Sequence, residues 1–311
     1  MRLVFCGTPQ FAVPTFHALL DAGHQIAVAL VQPDRTAGRG LELRLPAVKQ
    51  AALARAVPVV QPVKLRDNQE LQQQLAAVAP DAIIVVAYGR IIPPWMLALP
   101  RFGNLNLHGS LLPLYRGAAP IQWAIAQGAT ETGVTTMRLD AGLDTGDILL
   151  QRRVPIAPDQ TAADLFPVLA TMGAGLMVET LAGLEDCTVN AKPQDSSQAT
   201  LAPILTRHDA RIDWGRPAQE IYNRWRGFQP WPGAYTRFRQ KNLTVHAMRP
   251  AGEDVSPAAP GTMHRAQHRV LVACGNGTLL ELLEVQLEGK RRMPVGVFFN
   301  GYAPTPGEQL G

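Results

Sequence analysis

In the stretch NLNLHGSLLPLYRGAAP, residues 104–120, two asparagines and a histidine alternate with leucines and run into a Gly-Ser-Leu-Leu-Pro turn. Side chains at i, i+2 and i+4 of a β-strand share a face, so Asn104, Asn106 and His108 point one way and Leu105 and Leu107 the other. Asn106 and His108 then stand roughly 7 Å apart at the carboxyl end of the strand, where open α/β sheets bind ligands. A second constellation, RLDAGLDTGDILL at 138–150, sets Asp140, Asp144 and Asp147 among two glycines, between two strand-like runs. A carboxylate beside a histidine favours the imidazolium and fixes the ring's orientation, the arrangement used in general acid–base chemistry. The chemistry suggested is non-covalent: polarise a carbonyl, move a proton, stabilise an oxyanion. Two plainer readings stand beside it. The histidine can be capped by a backbone carbonyl, with asparagines ending the strand. The Asp/Gly run can be a hairpin loop whose carboxylates cap backbone amides.

Other chemistries lack their signatures. No Ser or Cys stands in a nucleophile-elbow pattern. The calcium-loop pattern with its distal Glu is missing. Cys6, Cys187 and Cys274 lie far apart, with no metal-ligand spacing, so no metal is expected. The turn after the first apolar run, GTPQFA, is not G-x-G-x-x-G, which argues against NAD.

Elements able to position these groups are legible around them. LVFCG and QIAVAL read as strands, and DAIIVV as a continuous apolar strand buried on both faces of a parallel sheet. PAVKQAALARAVPV and DNQELQQQLAAVAP are helical in pattern, each ended by proline. A further helix is expected over about 120–127. Alternation of strands and helices over 1–190 predicts an α/β, Rossmann-like doubly wound parallel sheet. Residues 191–206 shift to Lys, Pro, Gln, Asp and Ser and read as a linker. From 207 to 311, short β-like runs broken by Gly, Pro and Asn predict a small OB-like β-barrel, with a hairpin at GNG.

The formal net charge is +4, and it is unevenly spread. Residues 1–190 carry 14 Lys and Arg against 15 Asp and Glu, whereas 200–311 carry 14 against 9. A one-sided basic domain suggests a polyanionic partner, nucleic acid first. A merely soluble surface is the alternative. Three scattered cysteines fit a reducing compartment. The start is too short for a signal-peptide core, and no apolar run reads as long enough to span a bilayer. A cytosolic protein without a membrane is expected, and nothing demands more than a monomer.

Several segments together resemble the methionyl-tRNA formyltransferase family: NLHGSLLPLYRGAAPIQWAI, GVTTMRLDAGLDTGDIL, VFCGTPQFAVP and QPDRTAGRG, then ARIDW, RGFQPWPGAY and EGKRRM. The similarity runs from about residue 2 to about residue 300. It implies transfer of the formyl group of 10-formyltetrahydrofolate to the amine of methionine on initiator tRNA, for translation initiation. By position it implies a catalytic triad of Asn106, His108 and Asp144, in which Asn106 and His108 hold the oxyanion and Asp144 orients the imidazole. It also implies folate contacts at Ser110, Leu111, Leu112 and Pro113, at Val86, Ala87, Tyr88 and Gly89, and at Asp140. Arg39 matches an arginine that the family directs to the acceptor stem. After it, Leu41, Glu42 and Leu43 stand where relatives often carry lysines, so this loop is less basic than the family pattern.

Arg207 and Arg211, then Arg237, Arg239 and Lys241, then Lys290, Arg291 and Arg292 are the candidates for contacts to the tRNA backbone. A solvated charged face is the alternative for each. Trp214, Trp225 and Trp231 read as core or domain-interface residues. Rival functions are a formyltransferase acting on a nucleotide-sugar amine, a hydrolase releasing formate from formyltetrahydrofolate, and a non-catalytic RNA-binding protein. The first two share the triad. The last leaves it without a use.

Overall fold

A computed structural model describes residues 1–37, 42–253, 258–305 and 307–311. Two compact units are present. One comprises Met1–Pro120, Glu131–Pro155 and Asp164–Pro203; the other Ile121–Thr130, Ile156–Ala163 and Ile204–Gly311.

The first unit begins with β1 (Arg2–Gly7), α1 (Val13–Asp21), β2 (Gln25–Leu30), a small hairpin of β3 (Arg35–Ala37) and β4 (Glu42–Arg44), α2 (Ala47–Ala54) and β5 (Val59–Val60). It continues with α3 (Gln69–Val78), β6 (Ala82–Val86), α4 (Pro94–Leu97) and β7 (Asn104–His108). β8 (Glu131–Arg138), β9 (Ile148–Pro155) and α6 (Ala162–Glu185) complete it, while α5 (Pro120–Ala126), which precedes β8 in the chain, belongs from Ile121 onward to the second unit. Seven strands form one sheet in the order β5-β2-β1-β6-β7-β8-β9. It is parallel from β5 to β7, and β7-β8-β9 are antiparallel. The expected parallel sheet therefore carries an antiparallel edge, supplied by the two strand-like runs that flank the Asp/Gly loop.

The apolar runs explain the layering. Leu3, Val4, Phe5 and Cys6 of β1 are fully buried, as are Ala82, Ile83 and Ile84 of β6, because a strand covered on both faces has no polar side. The Asn68 side chain caps α3 by accepting from Leu71 N at 3.0 Å. Helix α6 is 24 residues long and, contrary to the sequence reading, is apolar and long enough to cross a bilayer by composition alone. Half of that stretch is buried within the protein. A Cβ on Gly173 of α6 would lie 2.5 Å from the Leu107 side chain, so the glycine lets this helix press against β7 from its apolar side.

In the second unit, α7 (Ala218–Gly227) precedes β10 (Tyr235–Phe238), β11 (Lys241–Glu253), β12 (Met263–Ala266), β13 (Arg269–Ala273), β14 (Thr278–Leu287), β15 (Met293–Pro294) and α8 (Val295–Tyr302). The sheet order is β10-β11-β14-β13-β12, with β15 on β14, and every described pairing in it is antiparallel. Three register shifts bend β11, and such bulges curl a sheet. This gives the partly open, OB-like domain the sequence leads one to expect. The β13–β14 turn is GNG, with Asn276 and Gly277 at φ 57° and 68°, the positive values a tight hairpin requires. Trp214 sits in the core with Phe238, Leu243 and Phe298. Trp225 packs partly against it, while Trp231 is 54% exposed, which removes the core half of the reading given for it.

Candidate active site

Strand β7 places its three polar side chains in different settings. Asn104 is buried, and its Nδ2 donates to the carbonyls of Met96 and Leu97 at 2.9 and 3.1 Å. It closes the end of α4 and is structural. Asn106 is 8% exposed and, among the described residues, its side-chain amide has no hydrogen-bond partner. The amide is not a buried polar group left without a partner; it opens to solvent, where its donors are available to a ligand oxygen.

His108, 5% exposed, is oriented from two sides. Its Nε2 lies 2.9 Å from the Tyr115 carbonyl, and an Nε2–H donating there leaves Nδ1 as the reactive nitrogen. Nδ1 faces Asp144 Oδ2 at 3.6 Å. That separation is too long for a hydrogen bond, but it is an ion-pair distance once the ring is protonated. Catalytic contacts are often this loose before substrate binds. A backbone carbonyl on the ring is what the plainer reading of the histidine expects, and the structure identifies it as that of Tyr115.

The Asp144 loop is held from several directions. Asp144 adopts φ 52°, and its Oδ2 accepts from Gly117 N at 2.8 Å. Asp140 is exposed and turns inward on its own loop: Oδ1 accepts from Gly142 N at 2.9 Å and from Thr145 Oγ1 at 2.7 Å. Gly146 is required where it stands, since a Cβ there would lie 2.0 Å from the Arg138 carbonyl oxygen.

The Ser110–Pro113 turn is tied down beneath. Ser110, Leu111 and Leu112 are buried, so the surface they offer a ligand is largely main chain. Thr135 Oγ1 donates to Ser110 O at 2.7 Å and accepts from Leu112 N at 3.2 Å and from Gln151 Nε2 at 2.9 Å. Gln151 Nε2 also donates to Leu112 O at 2.9 Å. Thr135 and Gln151 lie on the adjoining antiparallel strands, where the sequence shows only ordinary β residues.

At the end of β6, Val86 is buried while Ala87 and Gly89 are exposed at φ 46° and 71°. Tyr88, 1% exposed, packs in the core with Val4, Leu75 and Met96. Its hydroxyl is buried and has no partner among the described residues, and burial pushes its phenol well up. The Tyr88 side chain therefore serves the core, and only its main chain faces outward: Tyr88 O accepts from Gln32 Nε2 at 2.6 Å.

The basic candidates sort by partner. Arg39 lies outside the described residues. Arg239 is bound to Glu308 at 2.7 and 2.9 Å, and Arg292 to Glu284, so both are already engaged. Arg207, Arg211, Arg237, Lys241, Lys290 and Arg291 are exposed, and among the described residues they form no ion pair.

A formyl transferase model matches residues 1–181, and a formyl transferase C-terminal domain model matches 204–303. The chain belongs to the formyl transferase family. It is 62% identical over 311 residues to the methionyl-tRNA formyltransferase of Acidobacterium capsulatum, covering 100% of both chains. It is 56% identical to that of Koribacter versatilis, covering 100% of this chain and 99% of the other. Among solved structures, the fold is similar to an N-formyltransferase from Helicobacter canadensis in complex with folinic acid and dTDP-3-aminofucose. There the TM-score is 0.67 at 17% identity, covering 90% of this chain and 98% of that one.

Proposed function

We propose that the chain transfers the formyl group of 10-formyltetrahydrofolate to the amino group of methionine on initiator tRNA, giving N-formylmethionyl-tRNA for translation initiation. End-to-end identity to two methionyl-tRNA formyltransferases supports this acceptor over a sugar amine or water. The acceptor also makes the cytosol the place of action.

The observation that carries the chemistry is the grouping at the carboxyl end of β7: an Asn106 amide without a hydrogen-bond partner among the described residues, and a His108 Nδ1 that faces Asp144. These residues fit a formyl donor. The unpartnered amide supplies hydrogen bonds to a carbonyl oxygen, and the exposed main chain at Ala87 and Gly89 can meet a polar heterocycle. When bound, the folate supplies an activated formyl group on nitrogen. Asn106 donates to the formyl oxygen as negative charge develops there. His108, held by the Tyr115 carbonyl, presents Nδ1–H to the same oxygen, and Asp144 stabilises the imidazolium. With both ring nitrogens protonated, the Asp144 carboxylate is the member of the pair able to take the proton that the attacking amine loses. The Nδ1–H of His108 is the one able to pass a proton to the leaving nitrogen, after which Asp144 reprotonates the ring. Exposed cations such as Arg237, Lys241 and Arg291, which form no ion pair among the described residues, give the second unit the means to hold a phosphate backbone.

The test is His108→Ala in a single-turnover transfer assay, with folate binding measured separately. Loss of one oxyanion donor slows such reactions by about 10²–10³-fold, and folate affinity should hold. A near-normal transfer rate in this variant would overturn the mechanism.

A further inference from the structure

Residues 192–202, a linker by composition, run instead along both loops of the catalytic pair. Lys192 and Ile148 exchange two backbone hydrogen bonds of 2.8 Å, extending the antiparallel edge just beyond the Asp144 loop. Farther on, Thr200 Oγ1 accepts from Tyr115 N at 2.8 Å, and Thr200 O accepts from Arg116 N at 2.8 Å. Ala202 N donates to Arg116 O at 2.7 Å. The chain that carries the Tyr115 carbonyl, and with it the His108 ring, is thereby fixed to this segment.

Between these anchors stands Gln194. Its Oε1 accepts from Arg116 Nε and Nη2 at 3.1 and 2.8 Å. Its Nε2 donates to the carbonyls of Asp144 and Gly146 at 2.9 and 2.7 Å. Arg116 is 6% exposed and, among the described residues, pairs with no carboxylate; its other partner is Ser196 Oγ at 3.4 Å. A guanidinium can only donate, so it fixes which way round the amide lies. Its charge also polarises the amide toward stronger donation. Both Nε2 hydrogens are used on the two carbonyls that bracket the turn at Asp144, a residue at φ 52°.

We propose that this segment is a strap across the active site, with Gln194 as the positioning residue that holds Asp144 at its working distance from His108. The assignment rests on the formyl-transfer reading of the site. It adds a requirement that reading does not contain: Gln194 acts only through Asp144. Displacing a catalytic group by about 1 Å can cost about 10²-fold in rate, so Gln194→Ala should slow single-turnover transfer by about 30- to 100-fold.

A double-mutant cycle on the full-length protein tests this, using single-turnover rates at saturating folate and charged tRNA, folate affinity, and melting temperature. The expected result is a large loss for Gln194→Ala alone, with folate affinity retained, and less than about threefold further loss when it is added to Asp144→Ala. Equal losses in both backgrounds would mean a general structural role, and the proposal would fall. Gln194→Glu carries the test if Gln194→Ala does not fold. It keeps the acceptor for Arg116 but sets an acceptor against both carbonyls, and it should be as slow as Gln194→Ala; a wild-type rate in Gln194→Glu overturns the strap. Asp144→Ala separates the two readings. If it transfers at full speed, the catalytic assignment of Asp144 is wrong. If it is slow while Gln194→Ala is fast, only the strap is wrong.

Discussion

Replacing Thr135 with valine removes one hydroxyl and little volume from beneath the Ser110–Pro113 turn. Thr135 is fully buried, and its Oγ1 serves three partners: Ser110 O, Leu112 N and Gln151 Nε2. Gln151 keeps Leu112 O as an acceptor, so two groups of the turn itself are left without a partner, the Leu112 N–H and the Ser110 carbonyl. Each orphaned buried group costs about 1–3 kcal/mol, and the added methyl returns about 0.8 kcal/mol. The net loss is about 3 kcal/mol, a fall in melting temperature of about 6–12 °C for the unit concerned. Folate affinity should drop as well, by about tenfold, because the turn must be rebuilt before it can be bound. Calorimetry and folate titration measure the two effects. Thr135→Ser is the control: it keeps the hydroxyl, loses the methyl, and should cost about 1 kcal/mol with folate affinity unchanged. Thr135→Val melting within about 2 °C of the parent, or Thr135→Ser proving as damaging, would refute the reasoning.

Three further outcomes are expected. Tyr88→Phe removes a buried hydroxyl that has no partner among the described residues, so stability should hold or rise and folate affinity stay within about twofold; a tenfold loss would show that the hydroxyl reaches the ligand. Replacing Arg237, Lys241 and Arg291 together with alanine should flatten the salt dependence of tRNA binding by about two units of slope, whereas Arg239→Ala and Arg292→Ala, whose cations already hold Glu308 and Glu284, should change it less. Glu308 is held down at about 2 from its ordinary 4.5, first by the hydrogen bond from Arg239 and then by Thr305 N. A carboxylate depressed in the folded state stabilises fully above its unfolded value. That contribution should fade as pH falls from about 4.5 toward about 2, and acid denaturation of Glu308→Gln should lack this component.

The alternation in Asn104–His108 was readable because a strand's period of two is local, and the structure keeps that strand at the edge of the parallel region. The β1 and β6 runs were equally plain, since burial on both faces leaves no polar residue to confuse the pattern. Helix α6 left no such mark. It is apolar almost all round and holds Pro167 and several glycines, so no amphipathic stripe announces it. The strap at 192–202 escaped for another reason. Its partners lie between 44 and 87 positions away, and most of its contacts use backbone groups, which carry no residue identity. A backbone carbonyl on His108 was one of the readings open from the sequence, but that Tyr115 supplies it was not legible, nor was the burial of the Tyr88 side chain in the core. Residue types marked the groups able to do chemistry. The groups that hold them in place became visible only with the chain folded.

The central claim is formyl transfer to methionine on initiator tRNA. It is tested most directly by single-turnover transfer from 10-formyltetrahydrofolate to methionine-charged initiator tRNA, with free methionine and a nucleotide-sugar amine as parallel acceptors. Rapid transfer to the charged tRNA, and none to the other two, is the predicted result. Formylation of the sugar amine, or release of formate with no acceptor modified, would contradict it.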